Sequence, residues 1–319
     1  VGAIRILRPV LVTCALAATL AASGFVTAQG FPSRPITMVV PFSAGGPTDT
    51  LARIMCAPMR KALGQIGVGE NTTGAGGTIG SGRVARAAPD GYMLVIGHWG
   101  THVVNGAYYT SLTFDLLNDF AQVAMIATNP QMIVSRLGVP AKDLKELAAL
   151  LQKDRSLHYT YGSTGPGSFM HVMGEAFKQA AGVQMTHVPL KGAAPLKQEL
   201  LAGRLQVGGD QLSSSLADIK AGKLRALATN ASKRIPELPE VPTVRELGYP
   251  QLEADGWNGL FAPAKTPREI IERLNKEAVA AARHPDVVKR FAELAAESVG
   301  STPAEQDAIL AKQVAQFRP

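Results

Sequence analysis

The chain is short of cysteine, of charge and of long apolar runs, and each shortage excludes a class of protein. Of its 319 residues only two are cysteines, too few for a disulfide-rich secreted scaffold. Charged residues make up 18% and hydrophobic residues 46%, a balance that excludes a disordered chain. The 32 Lys and Arg outnumber the 25 Asp and Glu but are scattered, which gives no basis for a nucleic-acid site. A mildly cationic chain suits a small anionic ligand better.

The first thirty residues have the order of a secretory signal peptide. Two arginines precede an apolar run over residues 10–22, and the small residues Val26 and Ala28 fit a signal-peptidase site. A membrane anchor is the alternative, but the run is shorter than the roughly 20 residues that span a bilayer. We therefore predict that residues 1–28 are a cleaved signal and that the protein works in the periplasm. Cys56 then stands alone, so no intrachain disulfide can form.

Beyond residue 30, short β-branched and apolar segments alternate with Gly-rich loops and amphipathic helices. This alternation predicts an α/β fold of two units, each a mainly parallel sheet flanked by helices, followed by a helical tail. The expected strands are 36–41, 92–97, 158–161, 185–188, 205–208, 224–229 and 257–261, and the expected tail helices are 268–283, 286–297 and 303–317. Two more apolar segments, 121–127 and 131–135, lie between the units and are expected to be crossover strands.

Two loops rich in Gly, Ser and Thr each follow a strand and precede a helix: the first loop, 42–49, and the second loop, 162–168. Such a loop presents backbone N–H groups and a helix N-terminus, to which carboxylate and phosphate bind readily. In open α/β sheets the ligand lies in the crevice beyond the strand ends. The alternative is two ordinary turns whose polar side chains cap helices. One such loop in each unit favours a cleft that grips a ligand from both sides.

The candidate ligand-binding residues come from these loops and from nearby strand and helix ends. They are Phe42, Ser43, Ala44, Gly45, Gly46, Thr48, Asp49, Thr101, Ser163, Thr164, Gly167, Ser168, His171 and Asp210. The sequence leaves open whether His171 faces the cleft or is an ordinary surface or core histidine. Asp210, at the end of a strand, has the alternative role of capping the helix that follows it.

Nucleotide-binding and catalytic motifs fail on inspection. The Gly-rich segment 74–80 has Ile79 where a dinucleotide motif requires its third glycine, and no Lys-Ser or Lys-Thr pair follows for a P-loop. His98 and His102 are four residues apart, but neighbouring glycines argue against a helix and against a metal site there. We therefore predict no cofactor, no metal and no catalytic residue. An exported enzyme acting on a carboxylate or ester is the alternative from another class.

Several segments resemble those of a known family. They are the run Pro-Phe-Ser-Ala-Gly-Gly-Pro-Thr-Asp at 41–49 and the segments 74–80, 88–92, 161–163, 187–189, 191–192, 219–228 and 241–243. Together they are similar to the Bug-type extracytoplasmic solute receptors, the substrate-binding subunits of tripartite tricarboxylate transporters. The resemblance covers nearly all of the chain after the predicted signal, in the same order.

The resemblance implies a periplasmic binding protein fold whose two domains close like a flytrap on a solute. The domains would be residues 31–130 plus 256–319 and residues 131–255, joined by crossover strands. The two loops would hold the carboxylate of a small organic acid (a di- or tricarboxylate, an acidic amino acid or an aromatic acid), partly through ordered water. The protein would be a monomer that delivers its ligand to membrane transporter subunits. A ligand sensor for a membrane signalling protein would use the same fold.

One departure from the family pattern concerns the size of the pocket. Bulky apolar residues are usual in the family where this chain has Gly208 and Gly209. Two glycines at these positions would leave room for a larger ligand.

Overall fold

The computed structural model describes residues 30–64 and 66–317. The chain divides into a short unit, residues 1–33, and a large unit, residues 34–319, which carries every element described below. The predicted signal at 1–28 lies outside the described residues.

Eleven strands and ten α-helices form in the described part of the large unit. The strands are β1 (Ile36–Val40), β2 (Ile66–Asn71), β3 (Met93–His98), β4 (Phe120–Thr128), β5 (Gln131–Arg136), β6 (Thr160–Ser163), β7 (Thr186–Pro189), β8 (Val207–Gln211), β9 (Leu224–Thr229), β10 (Trp257–Pro263) and β11 (Glu297–Ser298). The helices are α1 (Pro47–Leu63), α2 (Thr78–Ala85), α3 (Asn105–Tyr108), α4 (Leu144–Lys153), α5 (Phe169–Ala181), α6 (Ala193–Leu201), α7 (Leu212–Lys220), α8 (Arg268–Ala282), α9 (Pro285–Glu293) and α10 (Pro303–Phe317).

The strands form two sheets. The first has the order β11-β4-β10-β3-β1-β2 and the second the order β7-β6-β8-β5-β9. The chain passes from the first sheet to the second between β4 and β5, through Asn129 and Pro130, and returns between β9 and β10. The predicted α/β class, with two sheets flanked by helices, is confirmed. The domain boundaries drawn from the sequence stay a prediction.

Both sheets are mixed rather than mainly parallel. β1 pairs parallel with β2 and β3, and β6 pairs parallel with β7 and β8. The strands next to the crossings run the other way, since β10 is antiparallel to β3 and β4, and β5 is antiparallel to β8 and β9. Only a parallel pair of consecutive strands needs a helical crossover, and these strands enter their sheets without one. The carboxyl ends of β1 and β3 therefore lie beside the amino end of β10, and the carboxyl end of β8 beside the amino end of β5.

Burial explains why most strands are recognisable in the sequence. Met38, Val39 and Val40 of β1 are completely buried, and so are Leu94 and Val95 of β3. Strands covered on both faces read as continuous apolar runs rather than as alternating ones.

β2 and the end of α9 differ from the sequence-based expectation. β2 was not predicted, because it is an edge strand in which Gly67, Gly69 and Glu70 break the apolar pattern. The helix expected at 286–297 ends at Glu293, and the residues after it pair with β4 as the two-residue strand β11.

Candidate functional site

A cavity lies between the two sheets, at the edge where the carboxyl ends of β1, β3, β6 and β8 meet. Its empty volume, including the mouth, is about 520 Å³. It is lined by Phe42, Gly46, Pro47, Thr48, His98, Trp99, Gly100, Gln131, Thr164, Phe169, Met170, Ala193, Gly209, Asp210, Gln211 and Trp257. Residues from both sheets contribute, so the cavity is a cleft, in the position where open α/β sheets bind ligands.

The cavity wall is aromatic and carries almost no charge. Phe42, Trp99, Phe169 and Trp257 all contribute to it. Among the lining residues, all of which the structure describes, none is Lys or Arg, and Asp210 is the one acid. An anionic ligand must therefore be held by backbone N–H groups and neutral side chains rather than by an ion pair.

The first loop leaves hydrogen-bond donors available to the cavity. Gly46 is the N-cap of α1, and no side chain caps this helix. Thr48, in the first turn, lines the cavity, and its hydroxyl has no protein partner among the described residues. The first N–H groups of a helix have no partner within it. This end of α1 can therefore bind an anion.

Asp49 orders the first loop from behind. Its carboxylate accepts hydrogen bonds from the Gly45 N–H at 2.9 Å, from Arg53 Nε at 2.9 Å and from Asn71 Nδ2 at 3.0 Å. Burial opposes ionisation, but these hydrogen bonds together hold the pKa of Asp49 below its ordinary value. Asp49, Ala44 and Gly45 lie outside the cavity lining, although the sequence made them candidates for ligand contact.

The second loop uses its donors within itself. The Gly165 N–H donates to Ser163 Oγ at 3.2 Å, the Ser168 N–H to the Gly165 carbonyl at 3.1 Å, and the Gly167 N–H to His171 Nδ1 at 3.1 Å. The Ser168 hydroxyl caps α5 by accepting from the His171 N–H at 3.4 Å. Ser163, Gly167 and Ser168 thus hold the loop together. Of the residues in this loop, all described, Thr164 alone lines the cavity.

Two stacked histidines support the second loop from outside the cavity. The ring centroids of His171 and His187 lie 4.0 Å apart, and His187 Nε2 is 2.6 Å from the Ser163 hydroxyl oxygen. Burial lowers the pKa of both rings, that of His187 to about 4, so both are neutral at neutral pH. His171 lines a surface groove beside Tyr108 rather than the cavity. Of the two possibilities left open by the sequence, His171 thus matches an ordinary surface histidine rather than one that faces the cavity.

On the side of the second sheet, the helix end that offers donors to the cavity is that of α6. Gly192 is the N-cap of α6, and no side chain caps this helix. At the start of α7, by contrast, the Gln211 N–H donates to Asp210 at 2.8 Å and the Leu212 N–H to the Pro130 carbonyl at 2.9 Å. Ala193, the first residue of α6, lines the cavity, as does Gln211. Gly192 has φ +121°, which favours glycine, and a Cβ there would overlap the Ser43 hydroxyl, whose oxygen is buried and unpaired. The sequence feature that could have identified this end of α6 is a glycine directly before an amphipathic helix, as at Gly46.

His98 ends β3 and lines the cavity, and sequence reasoning missed it. The Gly100 N–H donates to His98 Nδ1 at 2.8 Å, and the imidazole stacks on Phe42 with ring centroids 4.6 Å apart. Burial lowers the pKa of His98 to about 4. Thr101 lies behind it: its completely buried hydroxyl donates to the His98 carbonyl at 2.9 Å, and the residue does not line the cavity.

The segment after β3 is helical, against the expectation from its glycines. Gly100–Val104 form a π-helical turn that continues into α3. The side chains of Thr101, His102, Val103 and Val104 are at most 2% exposed, so tertiary packing outweighs the weak helix propensity of glycine. His102 Nδ1 is 2.8 Å from the Thr101 hydroxyl, and its ring stacks on the core at Phe261. His98 therefore lines the cavity, whereas His102 is part of the buried core.

Asp210 lines the cavity at the end of β8. Its carboxyl group accepts hydrogen bonds from the Gln211 N–H at 2.8 Å and from the Ser214 hydroxyl, which ties it to the start of α7. Burial raises the pKa of Asp210 to about 7. Gln131 and Gln211 face each other across β5 and β8 and also line the cavity. Sequence reasoning missed both glutamines, because nothing in the sequence shows that β5 starts at this edge.

The two glycines before Asp210 do not enlarge the cavity. A Cβ at Gly209 would overlap the side chain of Met170, which fills that space and lines the cavity. Gly208 packs against Leu196 and Leu200 of α6. A flexible methionine thus takes the place that a side chain on β8 would occupy.

The two sides of the cleft are in contact around the cavity. Trp99, after β3, meets Phe169 of α5 edge to face with ring centroids 4.8 Å apart. The Tyr109 hydroxyl donates to the Pro166 carbonyl of the second loop at 2.7 Å. These two contacts join the two sides of the cleft.

Two further site types are not found in the part of the chain that the structure describes. No three His, Cys, Asp or Glu side chains lie together there in a way that could hold a metal ion. None of the helices in residues 30–64 and 66–317 has both the length and the apolar character to cross a bilayer.

Comparison with known proteins relates these features to a family and to solved structures. Residues 51–319 match the model of a family described as "tripartite tricarboxylate transporter family receptor". Protein BugT of Bordetella pertussis is 33% identical over 303 residues, which cover 94% of this chain and 92% of that protein.

Two solved structures are similar over nearly the same span. The periplasmic binding protein BugD is 35% identical with a TM-score of 0.85, over 90% of this chain and 96% of that one. MatC from Rhodopseudomonas palustris, solved with bound malate, is 36% identical with a TM-score of 0.84, over 90% of this chain and 98% of that one.

Proposed function

The chain belongs to the family of tripartite tricarboxylate transporter receptors, the Bug-type solute-binding proteins, and we propose that it captures a small carboxylate-bearing organic acid in the cavity between its two sheets. The family consists of substrate-binding receptors, which are not enzymes. The malate bound in MatC supports a carboxylate as the group recognised. After capture, the receptor delivers the acid to the membrane subunits of a tripartite transporter.

The observation that carries this proposal is a cavity without cationic side chains among its described lining residues, adjoined by the uncapped N-termini of α1 and α6. Each of these helix ends supplies free N–H groups and a partial positive charge. A hydrogen bond to a charged group contributes roughly 1.5–3 kcal/mol. Several such donors together supply the about 8 kcal/mol of micromolar binding, with a margin for the cost of association.

A ligand screen with a matched pair of variants tests the proposal. Organic acids are screened by thermal shift and the hits measured by calorimetry. Gly46→Asp puts a carboxylate at the N-cap of α1, and Gly46→Asn has the same size without the charge; a Cβ at this position meets the Ser43 carbonyl oxygen at 3.1 Å in both. We expect the Asp variant to bind at least roughly a hundredfold more weakly than the Asn variant, because it adds an anion at the donors. Equal binding by the two variants, both folded by circular dichroism, contradicts the proposal.

Closure is the second part of the proposal. The moving domains are residues 31–130 with 256–319 and residues 131–255, which hinge where the chain passes between the sheets. The contacts of Trp99 with Phe169 and of Tyr109 with Pro166 then belong to the closed form. Small-angle scattering should show a smaller radius of gyration after a saturating ligand is added. An unchanged radius contradicts the closing motion.

Export is the third part. A receptor that meets its ligand outside the cytoplasm needs the signal predicted at 1–28. Protein purified from the periplasm of a Gram-negative host should begin at Gln29 or within a few residues of it. An intact mass that includes residues 1–28 contradicts this prediction.

A further inference from the structure

His98 gives the cavity a hydrogen-bond donor that carries no charge. It ends β3, lines the cavity and is 9% exposed. The Gly100 N–H donates to its Nδ1 at 2.8 Å, so Nδ1 is an acceptor and has no hydrogen of its own. A neutral imidazole carries one hydrogen, which must then be on Nε2.

Protein groups cover the Nδ1 edge and one face of this ring. Gly100 lies against the Nδ1 and Cε1 edge, and Phe42 covers one face. Among the described residues Nε2 has no protein partner, yet it is not shut away from solvent as Nε2 of His102 is. An Nε2–H in a largely aromatic wall is therefore left for a ligand to satisfy.

We propose that His98 is a specificity-determining residue of the receptor: its Nε2–H donates to a second oxygen acceptor on the acid, beyond the carboxylate held by the helix ends. This inference rests on the proposed function. An alkyl group in place of that oxygen would leave the buried N–H without a partner, which is unfavourable. The receptor then rejects monocarboxylates whose body is entirely hydrocarbon and accepts acids that carry a carbonyl, a hydroxyl or a second carboxylate there.

The surroundings of His98 keep the donor neutral and fixed in place. Burial lowers its pKa to about 4, so the ring does not attract an anion by charge at neutral pH. The Thr101 hydroxyl holds the His98 backbone at both its N–H and its carbonyl, each at 2.9 Å. A donor that is fixed in place bonds well only to an acceptor at one position, and this allows the receptor to discriminate between similar acids.

Two triplets of acids, each alike in shape, test this inference. The first is 4-acetylbenzoate, 4-isopropylbenzoate and terephthalate; the second is 4-oxopentanoate, 4-methylpentanoate and succinate. Within each triplet one position is a ketone, an alkyl group or a carboxylate. His98→Phe keeps a ring that can stack on Phe42 and removes the donor, and His98→Gln supplies an amide donor instead. Affinities are measured by calorimetry for wild type and both variants, with thermal unfolding as the control for folding.

We expect wild type to bind an acceptor-bearing acid at least roughly tenfold more tightly than its alkyl counterpart, the worth of one hydrogen bond. His98→Phe should abolish that preference and His98→Gln should restore part of it. The ketone and carboxylate members show which kind of oxygen is read. Equal losses for acceptor and alkyl members in His98→Phe overturn the inference and leave the proposed function standing. Failure of every acid to bind wild type overturns both.

A measurement without ligand checks the premise. Nitrogen-15 NMR of the imidazole should show Nε2 protonated and Nδ1 unprotonated at neutral pH. A ring protonated on Nδ1 in the wild type overturns the inference.

Discussion

The first and second loops are similar in composition and in position relative to a strand and a helix, but they use their backbone N–H groups differently. Both follow a strand, are rich in Gly, Ser and Thr, and precede a long helix. In the first loop the N-cap of α1 is a glycine, so its helix end stays open to the cavity. In the second loop the Ser163 and Ser168 hydroxyls and His171 occupy the nearby N–H groups.

The difference shows that a Gly/Ser-rich loop before a helix binds an anion only if its own side chains leave the donors free. Ser, Thr and Asp bond readily to nearby backbone N–H groups and so compete with a ligand. On the side of the second sheet, the open helix end that adjoins the cavity belongs instead to α6, whose N-cap is Gly192. We therefore propose that α1 and α6 hold the ligand carboxylate and that the second loop supports the closed form.

The strongest test of this comparison is a side chain at Gly192. Gly192→Val places a branched group against the Ser43 hydroxyl, where a Cβ would already overlap it, at a backbone conformation that favours glycine. We expect binding to fall at least roughly a hundredfold, because the α6 end can no longer approach the first loop. Calorimetry gives the affinity, and small-angle scattering shows whether the ligand still compacts the protein.

Gly203→Val is the matched control for that variant. Gly203 also has a positive φ, +77°, and a Cβ there meets nothing within 4 Å, so the variant strains the backbone without adding a contact. It should lose stability and keep its affinity. Loss of affinity in both variants would show that strain, and not the approach of α6, explains the first result.

A smaller effect is expected from the first loop at Thr48. Thr48→Val keeps the shape of a residue that is 2% exposed and removes the hydroxyl that lines the cavity. Binding should weaken about tenfold, the worth of one hydrogen bond to a charged group at the low end of its range. Thr48→Ser, which keeps the hydroxyl, is the control in calorimetry. If valine and serine bind alike, the hydroxyl does not touch the ligand.

The second loop should respond to acid where the first does not. The unfolded chain takes up a proton on His187 below about pH 6.5, but the folded protein does so only near pH 4. The contribution of His187 to the free energy of unfolding is thus fully present above about pH 6.5 and is lost as the pH falls toward 4. Around the two rings, Lys178 opposes their protonation and Glu175 favours it.

His187→Gln separates this contribution from the rest of the protein. Its amide can still bond to the Ser163 hydroxyl but does not titrate. The melting temperature of the variant should fall less than that of wild type between about pH 7 and pH 5. His98 and His102 also have lowered pKa values, and the raised pKa of Asp210 acts in the opposite direction, so part of the dependence remains. Equal falls in both proteins would mean that His187 does not contribute.

Much of the fold is predictable because buried strands and helices have recognisable apolar patterns in the sequence. Continuous apolar runs predict the buried strands β1 and β3. Helical patterns in the sequence predict α1 and α10. The edge strand β2 and the short β11 leave no such trace. The antiparallel direction of β5 and β10 also cannot be predicted from their own residues, because it depends on the sheet that the chain enters.

The site is less predictable for the same reason. Gly46 and Thr48 can be found because a strand, a glycine and a helix follow one another along the chain. His98, Gln131 and Trp257 reach the cavity only because distant strands end at the same edge, which no local pattern shows. In the second loop, capping of α5 by Ser168 is one of the two alternatives that the sequence leaves open. The contact of Ser163 with His187 is not predictable, because β7 brings His187 there from a distant part of the chain.

The smallest expected effect is that of Ser168→Ala. If the second loop supports closure and does not hold the ligand, the Ser168 hydroxyl acts as the cap of α5, at 3.4 Å from the His171 nitrogen. Its removal should lower the free energy of unfolding by about 0.5–1 kcal/mol, the lower part of the range for N-caps, since the bond is long. Affinity should change by less than roughly threefold. Denaturant unfolding and calorimetry on the same variant decide the matter: a loss of affinity as large as that of Thr48→Val, with stability unchanged, would show that the second loop holds the ligand as directly as the first.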